Sequence, residues 1–191
     1  MSAITNERVT LHKGRVFTLV REKVTLENGV TVDLDIVRHP GAAAMVPLME
    51  NGTLLMIRQY RHALGGFIWE IPAGTLNPGE TPLTCAKREL VEEIGYSADT
   101  WHKLGEITPV PGYSDERIHI YCAMDLSPAI QQLDRDEILN VHEVGFDPTL
   151  LEEPLGLSGV GVLACPEDLD VDCHRAPPTR LPDRFPRVAP K

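Results

Sequence analysis

The apolar positions of this chain follow two rhythms, and the change between them marks its organisation. Residues 16–26 and 30–38 are rich in β-branched and apolar side chains, and Glu27-Asn28-Gly29 between them is a strong turn signal. Together they predict an antiparallel hairpin. Residues 43–49 and 54–60 predict a second pair around Asn51-Gly52, and a further strand runs through Trp69 to Ile71. Residues 104–107 and the alternating run 117–124, separated by a proline-rich loop at 109–112, predict two more strands. Between these runs the period lengthens. Leu83, Ala86, Leu90 and Ile94 are spaced three or four apart, which places them on one stripe of a helix over 82–94. Thr81 offers a hydroxyl N-cap, Pro82 a first-turn ring whose missing N–H costs nothing, and Gly95 a left-handed C-terminal stop. Strands on both sides of a long helix predict a mixed sheet with helices packed on it.

The same helix carries Glu89, Glu92 and Glu93 at i, i+3 and i+4, so the three share a neighbouring face. Like charges so placed repel by about a few tenths of a kcal/mol per pair. On an arbitrary helix such a cluster is a solvated acidic face, neutralised here by Lys87 and Arg88. The wider pattern argues otherwise. Residues 74–96 read GTLNPGETPLTCAKRELVEEIGY, with Gly74, Glu80, Arg88, Glu89, Leu90, Glu92, Glu93, Gly95 and Tyr96 at set offsets. Clustered carboxylates beside a glycine loop suit a hard divalent cation, which wants oxygen ligands and keeps several waters.

This segment resembles the Nudix box, G-x5-E-x7-R-E-U-x-E-E-x-G-U with U a bulky apolar residue, and every fixed position is matched. The resemblance implies a Nudix-type α/β/α sandwich with a mixed sheet, here with an N-terminal antiparallel hairpin. It implies a metal-dependent hydrolase of nucleoside diphosphates linked to another moiety. Outside the box, Arg58-Gln59-Tyr60-Arg61, Trp69-Glu70-Ile71-Pro72-Ala73-Gly74 and a proline sixteen residues after Gly95, Pro111 within Pro-Gly-Tyr-Ser-Asp-Glu, add to the pattern. The ensemble is similar to the ADP-ribose pyrophosphatases, which cut ADP-ribose to AMP and ribose 5-phosphate. It covers roughly residues 15–145.

Carried over by position, the resemblance makes Glu89 and Glu93 metal ligands, with Glu92 a third ligand or helper and the carbonyl of Ala73 a backbone oxygen. The cation that the resemblance implies is Mg²⁺, with Mn²⁺ as a possible substitute. Glu80 and Arg88, beside Gly74, orient the catalytic carboxylates by hydrogen bonds, as metal sites require. Arg58 and Arg61 are candidates for the diphosphate, because a guanidinium fork matches phosphate oxygens; the alternative is a strand end with solvated arginines. Glu70 and Glu116 are candidates for the ribose parts. The resemblance implies that the general base comes from the acidic loop at 133–138, where Glu137 is the favoured residue and Asp134 and Asp136 are the alternatives. Relatives of this kind are commonly homodimers whose N-terminal strands complete the partner's pocket, so the resemblance implies a homodimer.

Composition narrows the classes further. At 191 residues the chain holds one good core with an appended element. Its net charge of −10 excludes a nucleic-acid backbone binder, which needs a basic face. No apolar run approaches the roughly 18–20 residues of a membrane span, and the N-terminus lacks the apolar core of a signal peptide. Cys85, Cys122, Cys165 and Cys173 form no C-x-x-C pair, and Cys165, Cys173 and His174 lack zinc-like spacing. The chain therefore reads as cytoplasmic and reduced. Three segments are expected: an N-terminal β element at 1–41, the Nudix domain at 42–146, and a proline-rich tail at 147–191 that carries eight of the sixteen prolines and is expected to be loosely draped. Beside the ADP-ribose reading stand a Nudix hydrolase of another nucleoside diphosphate sugar, such as GDP-mannose, and a Nudix-fold nucleotide sensor without turnover.

Overall fold

The computed structural model describes residues 3–145. The expectations for the tail at 147–191, including Cys165, Cys173 and His174, lie outside the described residues.

The first sheet is N-terminal and antiparallel, in the order β1 (Ile4–Lys13), β2 (Thr18–Thr25), β3 (Thr31–Arg38). The predicted hairpin is β2–β3, closed by Leu26 N–H donating to Val30 O at 2.8 Å and turned through Gly29 at φ 80°. Strand β1 escaped the sequence reading because all ten of its residues are exposed, so no buried face imposes an alternation. On β2, Val20, Glu22 and Val24 are buried together at the period of two. The buried Glu22 carboxylate accepts hydrogen bonds from Arg38 Nη2 and Arg8 Nε, each at 2.6 Å. Its pKa falls below the usual carboxylate range through those partners, Arg38 first.

Two further sheets form the body. One has the order β7 (Ala73–Thr75), β4 (Ala42–Pro47), β9 (Ile118–Pro128), β8 (Tyr96–Ile107), with β4 and β9 parallel. The other is antiparallel, in the order β10 (Leu139–Gly145), β5 (Thr53–Arg61), β6 (Gly66–Glu70). The predicted pairing of β4 with β5 around Asn51-Gly52 opens after a single bridge, Leu48 to Leu54. The reason lies in β4 itself. Nearly every residue of Ala-Ala-Ala-Met-Val-Pro is buried, so this strand takes a central place between β7 and β9 and β5 goes to another sheet.

The predicted helix is α1 (Pro82–Ile94), the one α-helix among the described residues. Cys85, Ala86, Leu90 and Ile94 enter one core with Ala43, Met45, Tyr121 and Ala123 of one sheet and Leu55, Ile57 and Leu139 of the other. Leu83, assigned to the same stripe from its spacing, is 37% exposed. The buried face of α1 is rotated towards Glu89 and Glu93, both of which are buried. The fold thus places two carboxylates where an ordinary amphipathic helix carries apolar residues.

Candidate active site

Helix α1 begins and ends as its sequence predicts. Thr81 is extended, at φ −80° and ψ 151°, and its hydroxyl oxygen accepts from Thr84 N–H at 3.2 Å. Gly95 is left-handed, at φ 70° and ψ 36°, and its N–H returns to the carbonyls of Leu90 and Val91. A side chain there would press on Ala129 O and on Gln131. These ends set the rotation of the helix, and with it the direction of every box residue.

Arg88 is the hub. Its Nε and Nη2 donate to the two oxygens of Glu80, each at 2.9 Å. Its Nη1 donates to Glu89 Oε1 at 2.6 Å and to Glu92 Oε2 at 2.8 Å. Its Nη2 also reaches Thr75 O at 3.3 Å. One guanidinium therefore ties three carboxylates to the end of β7, a use of the planar fork that lysine cannot copy. The Arg88 hydrogen bonds hold the Glu80 pKa down at about 2, and the Arg88 pKa rises in return. Arg88 fixes the positions of the acids, and its hydrogen bonds are spent inside the box.

Glu93 is 2% exposed, and its Oε2 accepts from Ala73 N–H at 2.9 Å, joining α1 to β7. Burial, and then the charge of Glu89, push its pKa up to about 8. The Glu89 pKa is raised in the same direction, by burial first, against the opposing pull of Arg88. Gly74 is what lets Glu89 lie there. A Cβ on Gly74 would overlap the Cγ, the Cδ and one oxygen of Glu89, so no other residue leaves the carboxylate in place. Gly74→Ala is accordingly expected to lower turnover by roughly 100-fold, the scale of a displaced catalytic group. Steady-state assay of the purified variant beside a melting curve checks this; unchanged turnover would remove Glu89 from the site.

The acidic loop is brought to these residues by the end of α1. Ala129 N–H donates to Gly95 O at 2.7 Å, Gln132 N–H donates to Glu92 O at 3.1 Å, and the Gln131 amide donates to Glu93 O. The helix C-terminus thereby anchors residues 129–132, and the chain continues through Asp134 to Glu137. Glu137 Oε2 accepts from Asp134 N–H at 2.8 Å, which closes the turn. A cleft of about 460 Å³ results, in which Glu89, Glu92, Glu93, Asp134, Asp136 and Glu137 all line the wall.

Among the other candidates, the strand period separates Arg61 from Arg58. Arg61 lines the cleft and its Nε donates to Glu70 Oε2 at 2.8 Å. Arg58, three residues earlier on β5, lies on the opposite face with its guanidinium 5.1 Å from the centre of the Phe67 ring. It is not part of the cleft wall. Glu70 touches the cleft only through Arg61. Glu116 lies apart from it, with its Oε1 3.7 Å from His39 Nδ1. Several lining residues are not among the candidates from sequence, Arg15 and Gln59 foremost, with Val16, Thr75, Asn77 and Gln132. Arg15, in the turn between β1 and β2, reaches over from the N-terminal sheet and donates to Asp136 Oδ2 at 2.8 Å. Gln59, between Ile57 and Arg61 on the inward face of β5, was visible as a polar residue at an inward position of an alternating run.

The donor set fits a hard divalent cation. Glu89 and Glu93, whose pKa values are raised by burial first, present only oxygen to the cleft. Among the described residues no group of three or more His, Cys, Asp or Glu side chains is already arranged to hold an ion. Arg88 holds Glu89 and Glu92 from one side, so an ion here would share their oxygens with the guanidinium.

A helix with this capped box, set between a mixed and an antiparallel sheet and facing an acidic loop, defines a Nudix protein. Residues 37–157 match the NUDIX domain, and the chain belongs to the Nudix family. It is 44% identical over 118 residues to an ADP-ribose pyrophosphatase of Mycobacterium tuberculosis, covering 61% of this chain and 57% of that protein. Over 142 residues it is 39% identical to an ADP-ribose pyrophosphatase of Bacillus subtilis, covering 73% of this chain and 77% of that one. A crystal structure of an ADP compounds hydrolase superposes with a TM-score of 0.68 at 25% identity, covering 81% of this chain and 85% of that chain.

Proposed function

We propose that the protein is a Mg²⁺-dependent Nudix pyrophosphohydrolase that cuts ADP-ribose to AMP and ribose 5-phosphate. One observation carries this reading: the buried Glu93 and the Arg88-held Glu89 and Glu92 share a single cleft with the acidic loop of Glu137. The names of the two bacterial relatives support the choice of substrate.

Glu89, Glu92 and Glu93, with the Ala73 carbonyl, would hold the cation, which would supply charge neutralisation of the diphosphate and a lowered pKa for water. Mn²⁺ would serve as a substitute. Arg61 receives the diphosphate, and its bond to Glu70 keeps the guanidinium at the cleft wall. Glu137 takes a proton from the attacking water. As the new P–O bond forms, the bridging P–O bond breaks and its electrons leave with the departing phosphate. Glu80 and Arg88 hold the acids in place, while Gly74 leaves room for Glu89. Every carboxylate of the box is present, which favours turnover over a sensing role.

The reading extends to a homodimer through the N-terminal sheet, supported by Ile4, Val9 and Leu11 exposed along β1. It also extends to a reducing compartment such as the cytoplasm, where Cys85 and Cys122 remain free thiols.

The test is a panel of nucleoside diphosphate sugars assayed with Mg²⁺ and read by released nucleoside monophosphate. ADP-ribose is expected to give the highest kcat/KM, by about tenfold or more, which is the worth of one or two well-placed hydrogen bonds. Faster turnover of GDP-mannose would move the protein to a different substrate class. No turnover of any member, with Mg²⁺ or Mn²⁺, would leave a nucleotide-binding protein.

A further inference from the structure

The cleft contains a polar side chain that the box does not use. Gln59 sits in β5 on the inward face with Leu55, Ile57 and Arg61, its backbone paired with Leu139 and Ile68. It is 5% exposed, and it lines the cleft. Its Oε1 is sealed from solvent and has no hydrogen-bond partner among the described residues. A buried amide oxygen without a partner destabilises a fold, and an apolar side chain of the same shape would fill this place without that loss. Packing alone does not account for a glutamine here.

With Oε1 turned inward, the amide presents its NH₂ end to the cleft. Turning it over would bury two donors in place of one acceptor. The charged donors of this cleft are largely engaged by its own acids. Its wall carries six carboxylates, while Arg88 is spent on Glu80, Glu89 and Glu92, and Arg15 is held by Asp136. The Nε of Arg61 is committed to Glu70. A diphosphate brings only acceptors.

We propose that Gln59 is a binding residue for the diphosphate, its Nε2 donating to a non-bridging phosphate oxygen beside Arg61. The proposal rests on the reading of the protein as a hydrolase of diphosphates. A neutral donor suits the position because a cation there would face the carboxylates that line the same cleft, as Arg88 faces its three acids. The amide donates without taking a carboxylate out of service.

Two isosteric substitutions test this in the full chain with Mg²⁺. Gln59→Met removes the donor and the orphaned oxygen together. Its melting temperature is expected at or above that of wild type, while kcat/KM for ADP-ribose falls by about 10- to 100-fold, mainly through KM, as for a lost hydrogen bond to a charged group. Inhibition by inorganic pyrophosphate should weaken by a similar factor, which a purely structural role would not produce. Gln59→Glu keeps an acceptor but replaces the donor with a negative charge, so it should fall below Gln59→Met. The proposal is overturned if Gln59→Met stays within threefold of wild type in kcat/KM and in pyrophosphate inhibition. It is also overturned if Gln59→Glu outperforms Gln59→Met, because the oxygen would then be the working end. Should Gln59→Met not fold, Gln59→Glu decides by itself: activity within threefold of wild type sinks the proposal. A wild type that hydrolyses no diphosphate in the panel overturns the underlying function, whereas a missing Gln59 effect on a substrate it does hydrolyse overturns this proposal alone.

Discussion

Glu93→Gln is expected to abolish Mg²⁺-dependent hydrolysis and, at the same time, to stabilise the metal-free protein. The amide keeps the side chain's shape, and its oxygen can still accept from Ala73 N–H, so the link from α1 to β7 survives. What disappears is the buried negative charge. The folded Glu93 carboxyl is pushed up to about 8 from an ordinary value of 4.5, with burial as the leading cause and Glu89 next. Below about pH 4.5 both folded and unfolded states hold the proton and nothing is lost. Between pH 4.5 and 8 the unfolded chain ionises while the folded one keeps its proton, so stability falls as pH rises and levels off above about 8. The fall with rising pH should be absent in Glu93→Gln, whose melting temperature without metal at pH 8 is expected to exceed that of wild type by about 5 °C. Glu80 works in the opposite window: held at about 2 by Arg88, it contributes stability that is lost as pH falls below 4.5. Melting curves from pH 4 to 9, with and without Mg²⁺, separate the two groups. Added Mg²⁺ should raise the wild-type melting temperature most at high pH, where it binds the ionised acid, and should raise that of Glu93→Gln little. Retention of more than about a tenth of wild-type turnover at saturating Mg²⁺ would remove Glu93 from the ligand set; the lost charge is otherwise worth several kcal/mol of transition-state stabilisation.

Glu137→Gln is expected to lower kcat by about 10²–10⁴-fold, the worth of a positioned general base, with KM nearly unchanged. The geometry favours Glu137 over its neighbours. Asp136 is drawn aside by Arg15 at 2.8 Å, and Asp134 supplies the backbone N–H that fixes the Glu137 carboxylate. The substituted amide still offers an oxygen to Asp134 N–H, so the loop should keep its shape and the melting temperature should stay close to that of wild type. Parallel kinetics on Asp134→Asn and Asp136→Asn complete the experiment. A large kcat loss in either one, with Glu137→Gln near wild type, would move the base along the loop.

Much of this was legible in the chain alone, for local reasons. Helix α1 is specified by Thr81, Pro82 and Gly95, whose preferences are properties of single residues and their neighbours. The box was readable because its carboxylates lie within one helix, where spacing decides which side chains share a face. The β2–β3 hairpin was readable because Asn28-Gly29 suits a tight turn between β-rich runs. Tertiary structure decided the rest. Glu89 and Glu93 are buried and Leu83 is half exposed because of where the two sheets stand against α1, and no helical period contains that information. The separation of β4 from β5 follows from the demand of an almost wholly buried strand for neighbours on both edges. Alternation along β5 separates Arg58 from Arg61, but only the packing of the sheet decides that the face of Arg61 is the one turned to the cleft. Gly74 matters because Glu89 crosses it from a different element, and Arg15 meets Asp136 across 121 positions of sequence. Short-range preference can be read from the order of residues, whereas burial, and the charge states and contacts that burial imposes, exist only once distant segments have packed.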